Sequence, residues 1–200
     1  MIRAQVWSLF DRSGIAVKPW HDAGFSVCTV DEWPASHDMP SIRCDILSME
    51  SLPGARFVLA FPPCTHLAAS GARWWQSKGD VAVKESMALV NKAISLAADT
   101  PLVLENPVGR LSTLWCQPSI IVHPWEFAGY EGASSEAYSK KTCLWLRNGA
   151  MAPARNPPTI QFDIDDKRIH HMNSWERKHF GILTPVGLAQ GIFLANKHLV

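Results

Sequence analysis

The sequence predicts an α/β fold built on a parallel sheet covered on both faces. Short, near-continuous apolar runs alternate with stretches of helical periodicity, the pattern of strands buried on both sides. Polar or reactive residues follow directly on four of those runs, at 11–14, 31–33, 62–64 and 105–107. In open α/β sheets ligands bind outside the carboxyl ends of the strands, so four such ends imply one shared site.

Each element has its own signal. AQVWSLF (4–10) reads as a buried strand and DRSG (11–14) as a turn. The stretch to Gly24 reads as a helix, with Pro19 inside its first turn or kinking it. SVCTV (26–30) is a second strand and RFVLAF (56–61) a third, running straight into Pro62-Pro63-Cys64. In 80–98, Val83, Met87, Val90, Ile94 and Ala97 recur at spacings of three and four, which predicts an amphipathic helix. PLVLE (101–105), IIVH (120–123) and TCLWL (142–146) are further strands. TPVGLAQGIFLAN (184–196) predicts a closing helix, with Thr184 as N-cap and Pro185 at its first position. PARNPP (153–158) is a loop that separates the last strand from a polar region carrying His170 and His171.

The whole chain narrows the classes further. Its 200 residues, 47% hydrophobic, suit one domain with one core. We expect a core over 1–149, an irregular reduced region over 150–183, and a C-terminal helix over 184–200. A net charge of +1 excludes a chain that binds nucleic acid through bulk charge, though not a local basic patch. No apolar run approaches a membrane span and no signal segment is evident, so a cytoplasmic protein without a membrane partner is expected. Cys28, Cys44, Cys64, Cys116 and Cys143 are scattered and form no CxxC pair. They predict neither a disulfide framework nor a zinc site. His170 and His171 lack partners at ligand spacing, and Asp163, Asp165 and Asp166 fit no calcium loop, so no metal is expected.

FPPCTHLAASGARWW (61–75) stands apart, because two prolines fix the backbone ahead of one cysteine and large aromatics follow it. Together with other short motifs it resembles the DNA (cytosine-5) methyltransferase family. Leu9-Phe10-Asp11-Arg12-Ser13-Gly14 stands where that family has its first motif, and Ala23-Gly24-Phe25 follows it. Glu32-Trp33 matches the second motif and Asp45-Ile46 the third. Pro63-Cys64-Thr65 with Ala68-Ala69-Ser70-Gly71 matches most of the fourth, and Glu105-Asn106-Pro107 two of three residues of the sixth. Lys140-Lys141-Thr142-Cys143-Leu144 resembles a weakened basic eighth motif, and Leu183-Thr184-Pro185 the ninth. The chain also looks like short, phage-associated members of this group.

The resemblance implies a single-domain, doubly wound, Rossmann-like methyltransferase fold that binds S-adenosyl-L-methionine. It implies DNA as substrate, methylated at cytosine C5 with low or short sequence specificity. Cytosine C5 is a poor nucleophile, and addition of Cys64 to C6 would make the ring enamine-like. Cysteine suits this because thiolates are strongly nucleophilic. By resemblance Glu105 would contact the base at N3 and N4, and Lys141 would stand near O2. Phe10 would pack on the cofactor adenine, Glu32 would meet the ribose hydroxyls, Trp33 would lie against the cofactor, and Asp45 would accept from the adenine amino group. Asp11, Gly14, Asp31, Ile46 and Pro63 complete the expected cofactor site. Ser70, Arg73, Trp74, Trp75 and Asn106 complete the substrate side, with the arginine and tryptophans on a loop that closes over a base drawn from its stack.

Three departures matter. Arg12 occupies the position of the family's first glycine, where it would crowd the methionine end of the cofactor or offer charge to its carboxylate. Lys141 offers a point charge where the family has an arginine fork. About 37 residues separate Leu146 from Thr184 (184 − 146 − 1), too few for a large recognition domain. Specificity would then be short, supplied by a protein partner or homodimer, or irrelevant because the substrate is a free cytosine nucleotide. Transfer to an exocyclic amino group fits less well, because Phe61-Pro62-Pro63-Cys64 has the wrong ends for that family. A non-catalytic methyltransferase-like protein that binds DNA or a partner is the remaining alternative.

Overall fold

The computed structural model describes residues 2–159 and 183–200, with the side chains of 74–78 outside that description. Seven strands form one sheet in the order β3-β2-β1-β4-β5-β7-β6. They are β1 (Val6–Leu9), β2 (Val27–Asp31), β3 (Ser41–Arg43), β4 (Phe57–Ala60), β5 (Leu102–Pro107), β6 (Ile120–Val122) and β7 (Thr142–Arg147). The first five run parallel, while β7 pairs antiparallel with both β5 and β6. The chain winds outward from β1 to β3, then restarts at β4 and winds the other way. That is a doubly wound α/β sheet, and its topological switch lies between the carboxyl ends of β1 and β4.

Side-chain alternation divides the interior into two layers. Trp7, Leu9, Val58, Ala60, Leu102 and Leu104 point to one face, where helix α2 (Trp75–Ala97) lays Val90, Ala93 and Ala97 on them. Val6, Phe57, Leu59 and Val103 point to the other. That second face is covered by Trp20 of the short helix α1 (Lys18–Asp22) and by Leu188, Ile192 and Phe193 of the last helix (Val186–Asn196). Trp20 makes ring contacts with Phe57, Phe25 and Phe193 at centroid distances of 4.9, 5.6 and 5.2 Å. Each such pair adds about 1 kcal/mol beyond area burial.

Helix α2 spans Trp75–Ala97 with a break at Gly79, whose φ of 69° leaves the helical region. The regular part after Gly79 is the amphipathic stretch expected from the periodicity. A four-residue helix α3 (Leu111–Leu114) follows β5, and the Val186–Asn196 helix is α4. Thr184 does not cap α4. The carboxylate of Glu136 accepts from the backbone amides of Val186 and Gly187 at 2.6 and 2.9 Å, and Pro185 holds the cap position.

The stretch 150–159 is not a free loop. Met151 N donates to Asn196 Oδ1, Ala154 N to Gly191 O, and Asn156 N to Glu126 O. His170, His171, Asp163, Asp165 and Asp166 lie outside the described residues. Among the described residues, no helix is long and apolar enough to cross a membrane, and no three His, Cys, Asp or Glu side chains are grouped to hold a metal.

Candidate active site

The carboxyl ends of β1 and β2 carry the first half of the site. Asp11 is buried, and its carboxylate accepts from Ser8 Oγ, Ser13 Oγ and Gly14 N at 2.7, 2.9 and 2.7 Å. It is therefore the internal post of the turn rather than an open cofactor ligand. Phe10 holds φ 59°, a left-handed conformation rare for a bulky residue, between the bonds Phe61 N to Leu9 O and Asp11 N to Val30 O. Gly14 has φ 68°, and a Cβ there would meet Met39 Cε at 2.4 Å and His37 Cδ2 at 2.5 Å.

Asp31 ends β2 half-buried, and its Oδ1 accepts from Trp33 N at 2.9 Å and its carboxylate from the Arg12 backbone amide. Burial pushes its pKa up, the amides and the Arg12 guanidinium pull it down, and nearby Asp11 adds to the rise. Glu32 is exposed and offers its backbone oxygen to Arg43 Nε. The carboxylate facing the turn is thus Asp31, one residue before the glutamate expected to meet a ribose. Trp33 is 61% exposed beside it. A desolvated carboxylate, an exposed ring and a glycine turn suit a ligand with hydroxyls and a flat heterocycle. Asp45 spends one oxygen on Leu47 N at 2.9 Å, capping the turn Ile46–Ser48. Ile46 is buried in the core at 4% exposure, whereas its neighbour Leu47 is exposed.

The second half follows β4 and β5. Pro62 is buried and Pro63 exposed, and Asn106 Nδ2 donates to Pro62 O at 2.8 Å. Asn106 is 1% exposed and braces the Pro62-Pro63-Cys64 loop through its amide nitrogen, while its buried Oδ1 has no partner among the described residues. Beyond the cysteine, Leu67 N and Ala68 N donate to Cys64 O at 2.9 and 2.8 Å. The loop is then stitched to the segment after β5: Ala69 N donates to Val108 O and Arg110 N to Leu67 O, both at 2.8 Å. This close approach needs Gly109, because a Cβ there would sit 2.0 Å from Leu67 O.

Cys64, Glu105 and Lys140 interact electrostatically at this edge. Burial pushes the Cys64 thiol up, Glu105 pushes it further, and Lys140 pulls it down. Burial likewise raises the Glu105 carboxyl, with Lys140 opposing. Lys140 is half-buried while Lys141 is exposed, so the cation beside the pair is Lys140, not Lys141. Cys143, opposite Asn106 on β7, is pushed up to about 11 by burial and by Glu105. Ser70 and Arg73 are exposed on the turn Ala69–Trp74, at the mouth of the Cys64 loop. The side chains of Trp74 and Trp75 lie outside the described residues.

No family model matches the chain, and no curated protein matches it. Among solved structures, it is similar to magnesium protoporphyrin IX methyltransferase from Synechocystis PCC 6803 with bound SAM. That match has 12% identity and a TM-score of 0.41, over 72% of this chain and 70% of that one. It is also similar to a putative Zn-dependent alcohol dehydrogenase from Rhodobacter sphaeroides, at 12% identity and TM-score 0.37, over 55% and 43%. A glycopeptide N-methyltransferase complexed with S-adenosyl-L-homocysteine matches at 12% and TM-score 0.30, over 81% and 63%. At such values the likeness carries no substrate or residue role.

Proposed function

We propose that this protein is an S-adenosyl-L-methionine-dependent methyltransferase acting on cytosine C5 in DNA, with short or low sequence specificity. The observation that carries the proposal is the electrostatic grouping of Cys64, Glu105 and Lys140 at the ends of neighbouring strands, with the cysteine loop braced from β5. A lone buried thiol needs no such partners.

Gly14, Asp31 and Trp33 would hold the cofactor, with Phe10 and Asp45 at its margins. When bound, the cofactor supplies a methyl group on a positively charged sulfur, an electrophile for carbon 5. The chain's own residues prepare that carbon. Cys64, only partly buried, gives up its proton to solvent water with the Lys140 charge favouring the anion, and its thiolate forms a bond to C6 as the C5–C6 π pair shifts toward C5. Burial pushes the Glu105 carboxyl up, which favours the form that would donate a hydrogen bond to ring N3 once the base is in place and so offset the charge of the adduct. After transfer, a water molecule takes the C5 proton, and the electron pair of that C–H bond restores the C5–C6 double bond and expels the thiolate.

The test is transfer of labelled methyl from S-adenosylmethionine to DNA, and in parallel to dCMP and dCTP, with Cys64→Ser beside the wild type. Label in DNA that falls by at least about a thousandfold in the variant is expected. The short stretch between β7 and α4 favours a second reading, a cytosine nucleotide methyltransferase, and label only in dCMP or dCTP would select it. No label in any substrate and no cofactor binding would overturn both and leave a non-catalytic binding protein.

A further inference from the structure

The connector between β2 and β3 is tied to the turn after β1 by contacts that neither loop's motif explains. Arg12 Nε donates to Pro34 O at 3.1 Å. In return Ser36 donates to Arg12 O through its backbone amide at 3.0 Å and through Oγ at 3.1 Å. One residue further on, both ring nitrogens of His37 are engaged. Met39 N donates to Nδ1 at 3.1 Å, and Nε2 lies 3.1 Å from Thr29 Oγ1 on β2. A nitrogen that accepts carries no proton, so the neutral ring holds its proton on Nε2 and donates to Thr29. The His37 ring and the Met39 methyl then stand where a Cβ on Gly14 would be. Met39 also packs on the core beneath α1.

We infer that Arg12 and His37 are positioning residues: they clamp the 34–39 connector against Gly14 and so fix the shape of the cofactor turn. This rests on the cofactor role proposed above for that turn. Arg12 does not project as an obstacle in place of a missing glycine. Its side chain crosses to the connector, where its charge also lies beside Asp31. A turn left unclamped must be ordered by the ligand, and that ordering weakens binding without touching the reacting atoms.

The experiment titrates the full chain with S-adenosylmethionine and with S-adenosylhomocysteine, for wild type, Arg12→Gly, His37→Ala and His37→Asn. Arg12→Gly and His37→Ala should each weaken binding about tenfold and raise KM for the cofactor with kcat little changed. His37→Asn keeps an acceptor for the Met39 amide and should recover most of the loss. Hydrogen exchange at Met39 should quicken in His37→Ala and stay slow in His37→Asn, a readout that does not depend on activity. Equal or tighter binding by Arg12→Gly, where the wild type binds, would overturn the inference and mark the arginine as an obstacle. Failure of the wild type to bind either compound would instead overturn the proposed cofactor, and the role of the clamp with it.

Discussion

The two loops that meet at the sheet's switch point are braced in opposite ways. The Cys64 loop is held by buried backbone contacts: Asn106 on Pro62 O, and the stitches on either side of Gly109. The turn at 11–14 is held largely through side chains: the Asp11 carboxylate within it, Arg12 on Pro34 O, and Ser36 Oγ on Arg12 O. The glycines report the difference. A methyl on Gly109 would strike the Leu67 carbonyl, which moves only if the backbone moves, whereas one on Gly14 would strike the Met39 methyl and the His37 ring, side chains that give way only by loosening the connector. The proposed nucleophile thus sits on a loop fixed by backbone, and the proposed cofactor turn on one fixed by side chains. This sheet end therefore has one side held by backbone and one held by side chains.

Breaking the side held by backbone should have the largest effect. Gly109→Ala should cost about 3 kcal/mol, a drop of roughly 10 °C in Tm, and should abolish methyl transfer even in molecules that remain folded. Thermal melting and single-turnover assays would read both. Lys140→Ala should lower kcat about tenfold, or ~1.4 kcal/mol of barrier, while Lys141→Ala stays within about twofold. Equal losses in the two would remove Lys140 from the site. Gly14→Ala should cost only about 1 kcal/mol, mainly from its positive φ, and should show in cofactor affinity more than in melting.

The smallest effect concerns pH. Because burial and Glu105 raise the Cys64 thiol, its alkylation by iodoacetamide should be slow at neutral pH and still climbing above the ordinary thiol range. A raised pKa in the folded state contributes stability that is present below the unfolded value and lost as pH rises through the folded one. Cys28 and Cys143, both pushed up to about 11, act in the same direction, so melting temperature should fall between pH 9 and 11. An alkylation rate already level at pH 7 would contradict the burial of Cys64.

Much of this was legible in the sequence because it is local. β1, β2, β4 and β5 are apolar runs that end in polar residues, and the structure brings those ends together. What was missed depends on distance. β3 is three residues, Ser-Ile-Arg, with no apolar pattern, and exists because β2 offers it an edge. The cap of α4 comes from Glu136, fifty residues upstream, so Thr184 looked like the better candidate. Lys140 and Lys141 are alike in sequence, and only the path of the chain into β7 decides which one faces Glu105. Ile46 and Leu47 pose the same problem, settled by which side of the turn meets the core. Asn106 carried a signal whose structural part the sequence hid: its amide nitrogen is fixed by Pro62 O, forty-four residues upstream. His37 gave no motif, and its role emerges only where the connector crosses Gly14.

The proposed chemistry turns on a covalent bond between Cys64 and cytosine. The direct measurement incubates the protein with S-adenosylmethionine and an oligonucleotide carrying 5-fluorocytosine, whose fluorine cannot leave as a proton does. Intact mass spectrometry should show protein, oligonucleotide and one methyl group joined, peptide mapping should place the join at Cys64, and Cys64→Ser should give none. Methyl transfer to ordinary cytosine without any trapped adduct, or an adduct that survives in Cys64→Ser, would contradict the account.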